Sequence, residues 1–324
     1  MERYNRDNLL ATGKPMRGYK IFSGSACTEF AAEVCRTLDV PLSKAQVKRF
    51  SDGEINVQIS ESVRGRDVFI IQSTGAPSND NLMELLIMTD ALRRSSASSI
   101  TAVVPYFGYA RQDRKAAPRV PITAKLVADM FVTAGIDRVV TIDLHAGQIQ
   151  GFFNIPVDNL YGSIIFQEHI RAKKLPNPVI ASPDIGGVTR ARYFAEKLGL
   201  EMVIVDKRRE KANESEVMNI IGDVAGKDVI MIDDMVDTAG TMVKAAAALK
   251  KKGATSVMAC ATHGVLSGNA YDNINNGELD ELVVSNTLTL RGHSDKIKVL
   301  SVAPLFAEVI RRVYHNESVN SLFS

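Results

Sequence analysis

The chain has 324 residues, 45% of them hydrophobic and 23% charged, with a formal net charge of +2. That length accommodates two domains with full cores, and the near-neutral balance excludes a general nucleic-acid binder, which would carry a larger basic excess. Three cysteines, Cys27, Cys35 and Cys260, are too few and odd in number for a disulfide framework. They read as small buried apolar residues in a reducing compartment, with a catalytic thiol as the sharper alternative.

Residues Met1 to Asn8 are polar and lack the apolar core of a secretory signal. No uninterrupted apolar run approaches the ~18 residues of a membrane span, so a cytoplasmic protein without a membrane partner is expected. Residues 1–17 read as a mobile polar extension. Beyond them, short β-branched runs predict strands at 19–23, 67–72, 99–105, 138–143, 178–182, 201–206, 228–232, 255–261, 281–288 and 297–302. Helical periodicity predicts helices at 27–38, 80–94, 122–134, 187–198 and 241–252. Runs that are apolar throughout, such as Val68 to Ile71 and Val229 to Ile232, suit strands covered on both faces, as in a parallel sheet between helices. The alternation indicates α/β architecture.

Two stretches resemble each other. An apolar strand leads to Ile142-Asp143 and then Ala146-Gly147; another leads to Ile232-Asp233 and then Ala239-Gly240. This suggests duplicated domains, although two βα turns can look alike by chance. The boundary is placed near 155–162. Residues 207–216 are strongly charged, without apolar period, and read as a mobile loop.

The segment 233–241 carries the most specific chemistry. Asp233 and Asp234 fall at the carboxyl end of a strand, where open α/β sheets bind ligands. Thr238, Ala239, Gly240 and Thr241 lead into an Ala-rich helix. Gly240 lets the backbone approach a ligand, the threonines offer hydroxyls, and free N–H groups at the helix start favour a phosphate. Two carboxylates beside a phosphate cradle would repel its occupant unless sugar hydroxyls or a divalent cation engaged them. The unit therefore reads as a site for a phosphorylated sugar with vicinal hydroxyls; the bland alternative is an acidic helix N-cap.

This segment resembles the binding loop of type I phosphoribosyltransferases, and the rest of the chain narrows the match. Phe50-Ser-Asp-Gly-Glu54, Tyr109-Ala-Arg-Gln-Asp-Arg-Lys115, Asp143-Leu-His-Ala146, Ser182-Pro-Asp-Ile-Gly-Gly187 and Val205-Asp-Lys-Arg-Arg209 occur in the order seen in ribose-phosphate pyrophosphokinases, over about residues 18–324. The resemblance implies two tandem phosphoribosyltransferase-like domains, each a mainly parallel sheet flanked by helices. Their ranges would be 18–160 and 161–324, with the C-terminal helix free to pack on the N-terminal domain. It also implies a homo-oligomer, usually a hexamer. The implied reaction moves the β,γ-pyrophosphoryl group of ATP to the 1-hydroxyl of ribose 5-phosphate.

By the same resemblance, Asp233, Asp237, Thr238, Ala239, Gly240 and Thr241 would hold ribose 5-phosphate, with Asp234 acting through ribose hydroxyls or Mg2+. Lys207 and Arg209 would be catalytic, Arg209 also touching the sugar phosphate. Alone, such a cationic run is a solvated face; beside transferring phosphates, mobile cations supply charge stabilisation. His145 and Asp184 would hold Mg2+. Read alone, His145 is equally at home as a hydrogen-bonded structural residue, since Mg2+ prefers oxygen, and Asp184 as a helix cap. Arg111 and Gln112 would contact ATP. Asp52, Gly53 and Glu54 would meet the adenine or ribose from a neighbouring subunit, or form a plain hairpin turn. Ser62, Arg64, Arg119 and Ser301 resemble the family's regulatory site for inorganic phosphate and ADP. Two rivals stand beside this reading: a non-catalytic subunit associated with the synthetase, and a nucleobase phosphoribosyltransferase.

Overall fold

The computed structural model describes residues 18–208 and 217–322. The first half begins with β1 (Tyr19–Ser23) and α1 (Thr28–Leu38), then a hairpin of β2 (Ala45–Arg49) and β3 (Ile55–Ile59). It continues through β4 (Asp67–Ile71), α2 (Ser78–Arg94), β5 (Ser99–Val104), α3 (Thr123–Ala134), β6 (Arg138–Ile142) and β7 (Val157–Leu160). Five of these strands form a wholly parallel sheet in the order β1-β4-β5-β6-β7. The central strands are almost entirely buried, which is why their sequences carry no polar alternation. The hairpin stands apart from the sheet and packs its partly buried residues Ala45, Val47, Val57 and Ile59 against the core beneath α2 and α3.

The second half comprises α4 (Ser163–Lys173), β8 (Pro178–Ser182), α5 (Val188–Leu198), β9 (Met202–Arg208), β10 (Val217–Ile221) and β11 (Asp228–Val236). Then come α6 (Gly240–Lys251), β12 (Ser256–Gly264), α7 (Ala270–Asn276), β13 (Glu281–Ser285), β14 (Ile297–Leu300) and α8 (Ala303–His315). Its sheet runs β10-β9-β8-β11-β12-β13-β14 and is parallel except for β10 against β9. From β8 the chain moves outward to β9 and β10, then returns to β11 and builds the opposite side. The order therefore reverses between β8 and β11, and a crevice opens at the carboxyl ends of those two strands.

Each predicted strand and helix has a counterpart, and the differences have local causes. β7 falls within the predicted boundary segment. Its polar residues are satisfied in place: Asp158 accepts from Arg138 (2.6 Å) and Asn159 from the Leu144 amide (3.1 Å). α4 follows at once and is not among the predicted helices. α8 opens with Pro304 at its start, a position where the missing N–H costs nothing. It lies on α1, with Phe30 and Phe306 edge to face at 5.4 Å between ring centroids. Of the segment 207–216, read above as a mobile loop, Lys207 and Arg208 instead continue β9, and 209–216 lies outside the described residues, as does the extension 1–17. No helix among the described residues is long and apolar enough to cross a membrane.

Candidate active site

The crevice at the strand reversal is lined by Pro183 and Asp184 from the end of β8 and by 233–242 from the end of β11 into α6. Arg111 and His145 reach it from the first half. It encloses about 230 Å³. β11 runs further than predicted, to Val236, so Asp233 and Asp234 are strand residues; Asp233 pairs with Ala261 of β12. The rigid strand, not a loop, sets their positions. Ala239 then turns the chain in the left-handed region (φ 60°) and α6 begins at Gly240, so the backbone amides of its first turn open on the crevice. A Cβ at Gly240 would meet nothing nearer than Thr238 Oγ1 at 3.7 Å. What the glycine keeps clear is the crevice itself.

The two carboxylates are tied from two sides. His145 Nδ1 donates to Asp234 Oδ2 (2.8 Å). Arg190, in the first turn of α5, donates through Nη1 to Asp234 Oδ1 (3.1 Å) and Asp233 Oδ1 (3.2 Å). The Asp234 amide also donates to Asp233 Oδ1 (2.8 Å). Burial, and then the adjoining Asp234 carboxylate, raise the Asp233 pKa. Burial acts the same way on Asp234, but the His145 hydrogen bond and the Arg190 charge outweigh it and hold that carboxyl well below the usual range. The hydrogen bond to Asp234 raises His145 in turn. One carboxylate is thus held as an anion, while its neighbour is the more readily neutralised by a proton or a cation.

Asp237 joins the halves. Its carboxylate accepts from Arg111 Nη1 (2.5 Å) and from the Ser267 hydroxyl. These bonds, against the opposing effect of burial, lower the Asp237 pKa. Asn273 donates to the Thr238 carbonyl (2.8 Å), fixing the loop before α6. Asp184 accepts from the Gly187 amide (2.8 Å), so it serves the turn into α5 while facing the crevice.

Of the residues predicted for function, Arg111, His145, Asp184, Asp233, Asp234, Asp237, Thr238, Ala239, Gly240 and Thr241 line this one crevice. Gln112 lies on the same turn as Arg111, accepting from the Thr123 hydroxyl and, through its carbonyl, from the Ala124 amide. Asp52, Gly53 and Glu54 form the exposed tip of the β2–β3 hairpin and do not line the crevice; Asp52 caps its own turn by accepting from the Glu54 amide (3.1 Å). Lys207 lies near the end of β9, its backbone opposite Met218 of β10, and Arg209 lies outside the described residues. Ser301 is bound to Glu33 of α1 (2.7 Å). All three cysteines are buried and free, and burial raises each thiol, Cys35 to about 11, which leaves them as apolar packing residues.

The sequence reading missed Arg190. Its available signal was a cation in the first turn of a helix, where the dipole disfavours positive charge. It also missed His263, whose ring is buried between the ends of β6 and the loop after β13.

Comparison with known proteins decides the family. Residues 19–135 match the model of the N-terminal domain of ribose phosphate pyrophosphokinase, and residues 207–324 match the phosphoribosyl synthetase-associated domain. A ribose-phosphate pyrophosphokinase of Wolinella succinogenes is 76% identical over 308 residues, 95% of this chain and all of its own length. The chain belongs to the ribose-phosphate pyrophosphokinase family. Relatives of the same name from Campylobacter jejuni and Helicobacter pylori are 75% and 71% identical, covering 95% of this chain and 100% and 97% of theirs. Among solved structures, the phosphoribosylpyrophosphate synthetase of Mycobacterium smegmatis superposes with a TM-score of 0.88 at 43% identity, over 93% of this chain and all of that one. The family match spans both halves, and neither rival reading is favoured.

Proposed function

We propose that the crevice takes ribose 5-phosphate and that the enzyme transfers the β,γ-pyrophosphoryl group of ATP to its 1-hydroxyl, giving 5-phosphoribosyl 1-pyrophosphate and AMP. The observation that carries this is the juxtaposition at one strand reversal of an open helix N-terminus with the Asp233–Asp234 pair. The first suits the 5-phosphate; the second, with Asp234 tied to His145 and Arg190, leaves Asp233 to meet a ribose hydroxyl. The 1-hydroxyl oxygen attacks the β-phosphorus, the bond from that phosphorus to the oxygen bridging it to the α-phosphate breaks, and AMP leaves on that oxygen. The hydroxyl proton passes to water.

In this reading Thr238 to Thr241 bind the 5-phosphate and Asp233 accepts from a ribose hydroxyl. Arg111, held beside the site by Asp237, meets the nucleotide phosphates, with Gln112 next to it. Lys207 and Arg209 close over the transferring group and stabilise its charge, which is the main protein contribution to such reactions. Asp52, Gly53 and Glu54, remote from the crevice of their own chain, serve the adenosine moiety bound by a second subunit of a hexamer. Among the described residues no three His, Cys, Asp or Glu side chains converge to cage a metal. One carboxylate and one imidazole on the crevice wall do fit Mg2+ that arrives on a nucleotide and keeps several waters. Asp184 and His145 would hold it, and it would neutralise phosphate charge. Phosphate and ADP act as regulators near Ser62, Arg64, Arg119 and Ser301, and the enzyme works in the cytoplasm.

The test is AMP formation from ATP and ribose 5-phosphate with Mg2+ and inorganic phosphate present. Stoichiometric AMP and phosphoribosyl pyrophosphate are expected, and abolished by Lys207→Ala in a chain that still assembles. The absence of AMP from the wild-type protein would end this reading.

A further inference from the structure

Asp234 and Asp233 differ in how much of each is spent inside the protein. Both oxygens of Asp234 are engaged, Oδ1 by Arg190 and Oδ2 by His145, and its side chain is only 5% exposed. Asp233 gives Oδ1 to Arg190 and to the Asp234 amide, leaving Oδ2 without a hydrogen-bond donor among the described residues, and its side chain, which lines the crevice, is 25% exposed. A single nitrogen, Arg190 Nη1, reaches both carboxylates, at 3.1 and 3.2 Å. Two adjacent carboxylates drawn together this way are held in one arrangement, and the unused oxygen of Asp233 is the one left for a ligand. Arg190 also stands in the first turn of α5, where the helix dipole works against a cation. The two aspartates, not the helix, hold it there.

We propose that Arg190 is a positioning residue for ribose 5-phosphate: through its one nitrogen it fixes the Asp233 carboxylate so that Oδ2 receives a ribose hydroxyl, while Asp234 anchors the arginine and does not touch the sugar. This rests on the reading of the crevice as the ribose 5-phosphate site. Partners that orient metal-binding side chains commonly matter 10–100-fold, and Arg190 stands in the same relation to a sugar-binding carboxylate. The KM for ribose 5-phosphate of Arg190→Gln should therefore rise by about tenfold or more, with the KM for ATP changed less than about twofold. Arg190→Lys should recover part of the loss, because an ammonium supplies the charge without the same reach.

Removing one cation beside two buried carboxylates can also destabilise the chain, so the double variant Arg190→Gln with Asp234→Asn restores the charge balance. If Arg190 positions Asp233, the double variant remains weak for ribose 5-phosphate, measured directly by calorimetry, even though its thermal midpoint recovers. If it regains wild-type affinity, Arg190 only balances charge and the proposal is overturned. An unchanged KM for ribose 5-phosphate in Arg190→Gln, or an equal rise in both KM values, overturns it as well. Wild-type protein that binds no ribose 5-phosphate in the same calorimeter removes the underlying reading too, which separates the two failures.

Discussion

Two glycines show how differently single residues constrain the site. Gly240 faces open crevice, and a Cβ there touches only Thr238 Oγ1 at 3.7 Å. Alanine is the better helix former by about 0.5–1 kcal/mol. Gly240→Ala should therefore keep or slightly raise the thermal midpoint while weakening ribose 5-phosphate binding about tenfold, since the methyl group stands where the ligand must approach. A lowered midpoint with unaltered binding would contradict this. Gly108 is the reverse case. Its Cβ would lie 2.2 Å from the Thr74 carbonyl oxygen, and its amide already donates to Thr74 Oγ1 (2.7 Å). Gly108→Ala should cost about 1–3 kcal/mol by overpacking and, by shifting the turn that carries Arg111 and Gln112, raise the KM for ATP. Urea denaturation and steady-state kinetics read the two effects. The first glycine was legible in the sequence, because a phosphate-binding helix start is a local pattern. The second was not: its constraint is a carbonyl 34 residues away. Arg190 was illegible for the same reason, since its partners lie 43 and 44 residues further on.

At the scale of elements, the apolar strands and amphipathic helices were readable because burial on both faces, or on one stripe, leaves a periodic trace. β7, with two polar residues among four, leaves none. The helix α8 is held on α1 by apolar residues such as Phe306 and Ile310, both fully buried, and its outer face carries a charge cluster. Glu308 accepts from Arg311 (2.9 Å) and Arg312 (2.6 Å), and these bonds, Arg311 first, hold its carboxyl at about 2 against an ordinary 4.5. A depressed folded pKa stabilises the fold above the unfolded value, and that stability is lost as pH falls from 4.5 toward 2. The cluster is only partly buried, so its worth is small, at most about 1 kcal/mol. Glu308→Gln should lower the urea midpoint slightly at pH 6, and the gap from wild type should close on acidification below pH 4.5. A gap that widened would mean the cluster does not act through ionised Glu308.

In the whole molecule, the crevice depends on how the carboxyl ends of the two sheets are clasped. Arg111 to Asp237 and His145 to Asp234 cross between them on the crevice side, and Thr262 donates to Asp143 behind it. At the centre of the clasp is His263, 2% exposed. Its Nε2 lies 3.1 Å from the Ile142 carbonyl and 3.2 Å from that of Asp143, its Nδ1 lies 3.0 Å from Thr287 Oγ1, and its ring meets Tyr106 edge to face at 5.0 Å. Two carbonyls on one nitrogen require Nε2 to donate; in the neutral ring Nδ1 is then an acceptor facing the Thr287 hydroxyl, which also reaches the Thr262 carbonyl (3.2 Å). Burial, the largest influence, lowers its pKa accordingly. A folded pKa below the ordinary 6.5 means that, as pH falls through 6.5, the unfolded chain binds a proton that the native ring refuses, and stability declines. His263→Gln keeps one amide donor for the carbonyls but cannot titrate. It should be less stable than wild type at pH 8, by about 1–3 kcal/mol for the poorer packing and pairing. The gap should narrow as pH falls below 6.5, because only the wild-type protein carries this penalty. Urea midpoints of both proteins between pH 8 and 5 measure it. A gap that widened on acidification would show that His263 is protonated in the fold and that the clasp is an ion pair with the neighbouring aspartates, and parallel curves would show that folding leaves its pKa unchanged; either result contradicts a neutral hydrogen-bonded bridge.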